Sequence, residues 1–156
     1  MRALLQRVLK ADVSVNGAAV GKIGQGLLVL LGVMEGDGGD EARYLADRVC
    51  GLRIFEDENG RMNKSVLDID GEVLVVSQFT LAADASHGRR PSFISAAKPD
   101  AANALYEQFA AEVSAILQKP APTGVFGADM QVSLVNDGPV TIWLDTEEMR
   151  GKHGHS

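Results

Sequence analysis

The chain has 156 residues, of which 46% are hydrophobic and 23% charged, and its net charge is −6. That length suffices for one domain whose core needs no metal or disulfide staple. The acidic balance argues against generic nucleic-acid binding, which leaves a basic face as its footprint, but leaves open an enzyme that grips one end of an RNA.

The opening residues MRALLQRVLKADV lack the apolar core and cleavage site of a signal peptide. The longest apolar run, Leu27 to Leu31, is too short to span a bilayer, so a soluble, cytoplasmic protein is expected. Ala3 to Lys10 and Val13 to Val15 read as strands, and Asn16-Gly17 supplies a tight turn into Ala18 to Ile23. After Gly24-Gln25-Gly26 comes the apolar strand Leu27 to Val33. A helix follows, with Asp40 as N-cap and Leu45, Val49 and Leu52 spaced for one buried face. Cys50 lies in this stretch; as the lone cysteine it excludes an internal disulfide and reads as a buried, inert thiol. Arg53 to Phe55 starts a strand, Asn59-Gly60 turns it, and Val73 to Phe79 is strongly β-forming. In the second helix Pro99 suits the first turn, and Ala101, Leu105, Phe109, Val113 and Ile116 recur along one side. Met130 to Val135 and Val140 to Leu144 alternate like two strands joined by Asn136-Asp137-Gly138-Pro139. The expected fold is α+β, mostly antiparallel sheet with a layer of two main helices, in a single domain over 1–146. Residues 147–156 are polar, lack periodicity and read as a tail.

Conventional catalytic patterns are missing: there is no G-x-S-x-G, no H-E-x-x-H, no P-loop and no Cys–His pair. His153 and His155 sit in the tail and His87 in a polar loop, so no histidine triad is expected. Two tail histidines without further ligands rarely hold a metal. The best basic cluster, Arg89 and Arg90 in Gly88-Arg89-Arg90-Pro91, is open to two readings, phosphate contact or plain solvation. Ser77-Gln78-Phe79-Thr80 ends an apolar strand, where hydroxyls, an amide and free N–H groups can orient a substrate and stabilise an oxyanion. An ordinary strand terminus would look the same. Asn136 to Thr141 reads equally as a simple turn, since only about 5–6% of X–Pro bonds are cis.

Taken together, SQFTL at Ser77 to Leu81 and NDGPVT at Asn136 to Thr141 resemble the two signature motifs of the D-aminoacyl-tRNA deacylase family, often called D-tyrosyl-tRNA deacylases. The resemblance runs nearly end to end, through Met1-Arg2-Ala3, Gln6-Arg7-Val8, Gly26 to Val29, Leu52 to Phe55, Gly88 to Phe93 and Thr123 to Met130. Departures are few: Ala82-Ala83-Asp84 where many members carry an aromatic first, Lys64 where an apolar residue is common, and the extended tail.

The resemblance implies hydrolysis of the ester of D-aminoacyl-tRNA, a proofreading role in translation, by a homodimer with active sites at its interface. It implies that Gly138-Pro139 is cis and reaches into the partner's pocket, where its carbonyl oxygens select chirality; selection by exclusion would also let through glycyl-tRNA, including glycine mischarged on tRNA-Ala, because glycine has no side chain to exclude. Arg7 would anchor that motif. Ser77, Gln78, Phe79 and Thr80 would line the pocket, and Phe126 and Met130 would hold the terminal adenosine. No cofactor or metal is implied. Thr80 as a nucleophile would lack a neighbouring base, which favours assistance from the substrate's 2′-hydroxyl. The alternatives are a non-catalytic RNA-binding or editing-associated module and a generic small-ester hydrolase, the latter needing a nucleophile that the sequence does not offer.

Overall fold

A computed structural model describes residues 1–151 of the chain. Its first element, β1 (Arg2–Val15), is one 14-residue strand rather than the two separate runs expected. Along one edge β1 carries two antiparallel partners end to end, β3 (Gly26–Gly32) on residues 2–8 and β2 (Ala18–Ile23) on residues 11–15. Asn16 and Gly17 both take positive φ, 51° and 81°, and close the β1–β2 hairpin as Asn-Gly favours. β7 (Gln131–Asp145) covers the other edge of β1. β6 (Glu72–Ser77) lies parallel to β3. The connection between them carries α1 (Gly39–Gly51) and a short hairpin, β4 (Phe55–Glu56) with β5 (Met62–Lys64). The fold is α+β with a mostly antiparallel sheet and two main helices, as expected.

β7 corrects the expectation of two strands joined by a turn. From the pair Gln6–Thr141 to the pair Val8–Asn136, β1 advances two residues while β7 advances five. The three extra residues bulge out of one continuous strand, opposite Arg7. At the next step, Val8–Asn136 to Lys10–Val135, the extra residue is Leu9 on β1. That bulge reverses side-chain parity. Ala3 and Leu5 therefore face the helix-covered core, whereas Val8, Ala11 and Val13 share the opposite face.

The larger core packs α1 and α2 (Pro99–Leu117) on the sheet, and its fully buried Leu5, Leu45 and Phe109 each contribute about 1.5–3 kcal/mol by burial. α1 buries Leu45 and Val49 as expected, while Leu52 is its half-buried C-cap. The helix begins after Gly38, whose N–H donates to the Glu41 carboxylate at 2.7 Å, so Gly38 and not Asp40 is the N-cap. On α2 the buried stripe is Ala102, Tyr106, Phe109, Val113 and Leu117; Ala101 is exposed, and Leu105 and Ile116 are half-buried. Phe109 and Val113 are buried as expected, while Ala102, Tyr106 and Leu117 take the places of Ala101, Leu105 and Ile116; Tyr106 can be buried because its hydroxyl donates towards the carbonyls of Val75 and Gly124 at 3.3 and 3.2 Å.

The polar tail expected from residue 147 starts instead as α3 (Thr146–Gly151). Met149 packs on the core, and Arg150 pairs with Glu41 at 3.3 Å and sits 5.0 Å from the Tyr44 ring centre. A six-residue helix has too little length to show periodicity and is held by these tertiary contacts. His153 and His155 lie outside the described residues. Among those described, no helix is long and apolar enough to cross a membrane.

Candidate active site

β6 stops at Ser77 because the chain then leaves the sheet. The Gln78 N–H still donates to Leu31 O at 2.8 Å, after which Phe79–Ala82 wind into a 3-10 turn. The first hydrogen bond of that turn runs from Leu81 N–H to Gln78 O at 3.1 Å. The N–H groups of Phe79 and Thr80 lie ahead of it and have no partner within the turn. Arg2 clamps the far end of the segment, donating from Nη1 to Leu81 O at 2.8 Å while Nε pairs with Asp145 at 3.2 Å.

The opposing wall is the chain from Pro122 to Met130. Val75 holds it to β6, its N–H donating to Pro122 O at 3.0 Å and its carbonyl accepting from Gly124 N–H at 3.1 Å. The Tyr106 hydroxyl sits under this joint, and its ring centre lies 6.0 Å from that of Phe126. A Cβ on Gly124 would come within 2.5 Å of Met130 Sδ, so glycine is what lets Met130 close on the segment.

Between the walls lies a cavity of about 670 Å³, within the usual range for a small-molecule site. Its lining includes Ser77, Gln78 and Phe79 at the end of β6, Phe126 and Met130, and Pro99 and Ala102 of α2. Phe79 is 57% exposed and meets Phe93 edge-on, with ring centres 5.1 Å apart. The cavity thus gathers five of the residues picked out from sequence.

The others lie outside its lining. Thr80 is exposed, and its Oγ1 accepts a hydrogen bond from Gln78 Nε2. Gly138 and Pro139 are exposed on the β7 bulge, and the peptide between them is cis. Arg7 is 4% exposed; its Nη1 donates to Ile54 O at 2.7 Å and its Nε to Asp137 O at 2.9 Å. Gly138 has φ +120°, a conformation strained for any other residue, and a Cβ there would lie 2.6 Å from Arg7 Nη2 and push the guanidinium aside. Arg89 and Arg90 are exposed in a loop closed by reciprocal backbone bonds of 2.8 Å between Asp84 and Ser92.

Asp129, an exposed residue, is the charged one among those lining the cavity. No group of three or more histidine, cysteine or acidic side chains is placed to hold a metal among the described residues. His87 bonds Ser86 Oγ at 2.8 Å in the exposed loop. Cys50 is buried as expected; burial and then the Asp47 charge push its thiol up to about 12, which keeps it unreactive. Sequence reasoning passed over Arg2, Phe93, Tyr106 and Asp129 as individuals. Only Tyr106 carried a local signal, a phenol set in the middle of an apolar helical stripe.

The sequence profile of the D-Tyr-tRNA(Tyr) deacylase family matches residues 4–145. The chain is 60% identical over 151 residues to a D-aminoacyl-tRNA deacylase from Thermomicrobium roseum, covering 97% of each chain. Among solved structures it is similar to the c-Myc DNA Unwinding Element Binding Protein, with a TM-score of 0.88, 40% identity and coverage of 93% and 98%. It shares its fold with a probable eukaryotic D-amino acid tRNA deacylase at a TM-score of 0.79, 18% identity and coverage of 92% and 98%.

Proposed function

The chain belongs to the D-Tyr-tRNA(Tyr) deacylase family, and on that premise we propose that it is a cytoplasmic enzyme that hydrolyses the ester bond of D-aminoacyl-tRNA. The observation that carries the reading is the cavity at the end of β6, with the N–H groups of Phe79 and Thr80 ahead of the 3-10 turn. Water adds to the acyl carbon, and the resulting oxyanion is held by those two backbone donors. The bond to the ribose 3′-oxygen then breaks, releasing the D-amino acid and a tRNA 3′-hydroxyl that takes up the proton. The neighbouring 2′-hydroxyl of the substrate orients the water and relays that proton. Thr80 is left out of the covalent chemistry. Its hydroxyl already accepts from Gln78 Nε2, and a threonine without a base is a weak nucleophile. No cofactor or metal is needed.

Chiral selection in this reading belongs to a second copy of the chain. Gly138 and Pro139 stand exposed outside their own cavity and are held from behind by Arg7, so they are presented to a partner. Val132, Val135 and Trp143, exposed along the same strand, are apolar surface that a homodimer would cover. The carbonyl oxygens of the bulge exclude an L side chain and leave glycine free to react, so glycyl-tRNA is a second substrate. Phe126 and Met130 receive the terminal adenosine, and Arg89 and Arg90 contact the phosphates of the tRNA end. Variants that yield folded monomers lose activity; full activity per monomer, with the mass checked by light scattering, would refute the shared site.

A binding-only reading draws on the name of the 40%-identical relative, but the net charge of −6 and a cavity of small-molecule size favour chemistry on one end of the nucleic acid. The deciding assay offers purified protein D-Tyr-tRNA and L-Tyr-tRNA, each with and without a chelator. Hydrolysis of the D form alone, unaffected by chelator, is expected; equal treatment of both enantiomers overturns the reading.

A further inference from the structure

On the deacylase reading, the N–H groups of Phe79 and Thr80 that hold the oxyanion sit on a four-residue 3-10 turn beyond the end of the sheet. A turn of that length makes too few hydrogen bonds to hold its own orientation. Oxyanion donors work by being fixed before charge develops, so groups outside the turn must hold it. Its near end is tied by the Gln78 N–H to Leu31 O at 2.8 Å. Its floor is Gly32. A Cβ there would come 2.9 Å from Leu81 Cβ and 3.3 Å from Gln78 O, so the turn lies against bare backbone. Its far end is tied by a side chain, Arg2, whose Nη1 donates to Leu81 O at 2.8 Å.

We propose that Arg2 is a positioning residue for the hydrolysis, holding the backbone donors of the 3-10 turn in their working orientation. This rests on the deacylase reading. Two strand pairings put Arg2 where it can do so: it lies opposite Gly32 on β3, against which the turn packs, and opposite Asp145 on β7. Its Nε pairs with Asp145 Oδ2 at 3.2 Å, and that carboxylate side chain is only 8% exposed. The guanidinium also lies 5.7 Å from the ring centre of Trp143, two residues before Asp145 and so on the same face of β7. A planar guanidinium gripped by a carboxylate and an aromatic ring has little freedom left, so the donor that it presents to Leu81 O is a fixed arm. Arg2 does not line the cavity and acts on the reaction only through the turn.

The test uses Arg2→Met, which keeps an unbranched side chain but removes the donors, and Arg2→Lys, which restores the charge with one donor centre. Single-turnover hydrolysis of D-Tyr-tRNA with enzyme in excess reads the chemical step as the plateau rate and binding as the half-saturating enzyme concentration. Urea unfolding checks that each variant is folded. Misaimed oxyanion donors weaken an interaction made only in the transition state, so the rate falls while binding stays. Arg2→Met should slow the plateau by about 10–100-fold, short of the ~10²–10³ for outright loss of an oxyanion donor. Its half-saturation should stay within about twofold of wild type. Arg2→Lys should lie about 3–10-fold below wild type, since an ammonium reaches Leu81 O but is less well oriented than a guanidinium. A wild-type plateau in folded Arg2→Met would make the guanidinium a clamp for stability alone. An unchanged plateau with weakened binding would make it a tRNA contact, and Arg2→Lys as slow as Arg2→Met would show that donation to Leu81 O is not what counts. Each of these overturns the proposal. If Arg2→Met does not fold, Arg2→Lys carries the test: a slowed plateau at unchanged half-saturation supports the positioning role, and a wild-type plateau overturns it. Wild-type protein inactive on D-Tyr-tRNA overturns the deacylase reading itself.

Discussion

Arg7 reaches across the sheet to Asp137, donating from Nε to the Asp137 carbonyl at 2.9 Å, with the Asp137 carboxylate 3.5 Å away. Its Nη1 holds Ile54 O at the same time, so one buried guanidinium ties the β7 bulge to the approach of the β4–β5 hairpin. A lysine ammonium is a point donor and cannot span both carbonyls in one plane. Arg7→Lys should therefore lower unfolding stability by about 1–3 kcal/mol, the cost of leaving a buried acceptor unpaired. Displacing the bulge should slow D-aminoacyl-tRNA hydrolysis by about 10–100-fold. Urea unfolding and single-turnover assays on the same preparation check both, and wild-type values in either would contradict the anchoring role.

If the bulge selects by exclusion, D-Ala-tRNA and Gly-tRNA should both be cleaved and L-Ala-tRNA spared, because glycine has no side chain to collide with backbone oxygens. A pocket that recognised the D side chain by favourable contact would discriminate against glycine. Side-by-side rates on the three substrates decide. Glycyl-tRNA as resistant as L-Ala-tRNA would remove the exclusion mechanism.

Thr80→Ala should retain substantial hydrolysis, within about tenfold of wild type, since what is lost is one exposed hydrogen bond to Gln78. Mass spectrometry of acid-quenched reactions should find no acyl adduct on Thr80. An adduct, or complete inactivity of a folded variant, would restore Thr80 as the nucleophile.

Tyr106→Phe keeps the ring in the core but takes the donor from Gly124 O, while Val75 O still accepts from Gly124 N–H. A loss of about 1–2 kcal/mol in denaturant unfolding is expected, typical of one buried acceptor losing its partner. Wild-type stability would show that the phenol hydroxyl is not holding this joint.

Cys50 gives a pH signature. Its thiol ionises near 8.5 in an unfolded chain but is pushed up to about 12 in the fold, chiefly by burial. Because the folded pKa is the higher one, its contribution is complete below the unfolded value and is lost as pH rises from about 8.5 towards 12, by at most ~1.4 kcal/mol per pH unit. The difference between wild type and Cys50→Ala isolates this from other alkaline titrations. Parallel stability curves over that range would contradict it.

What the sequence determined by itself was whatever depends on local pattern and ordered motifs. The β-forming run at Val73 to Val76, the Asn16-Gly17 hairpin, Pro99 at a helix start and the buried Cys50 were legible because propensity and periodicity act within a few residues. SQFT and NDGPVT pointed to a deacylase through resemblance, not through any chemistry visible in their spacing. Tertiary structure decided the rest. Asn136 to Pro139 look like a turn, and only pairing with β1 on both sides keeps β7 continuous and makes them a bulge. Tyr106 belongs to the core only because two carbonyls from distant segments satisfy its hydroxyl. Arg2 acquires meaning from Leu81 and Asp145, far along the chain, and Phe93 from Phe79, while α3 exists because the core and Glu41 hold it. These are non-local interactions, whose energy depends on which groups the whole fold brings within a few ångströms, and no window of sequence contains that distance.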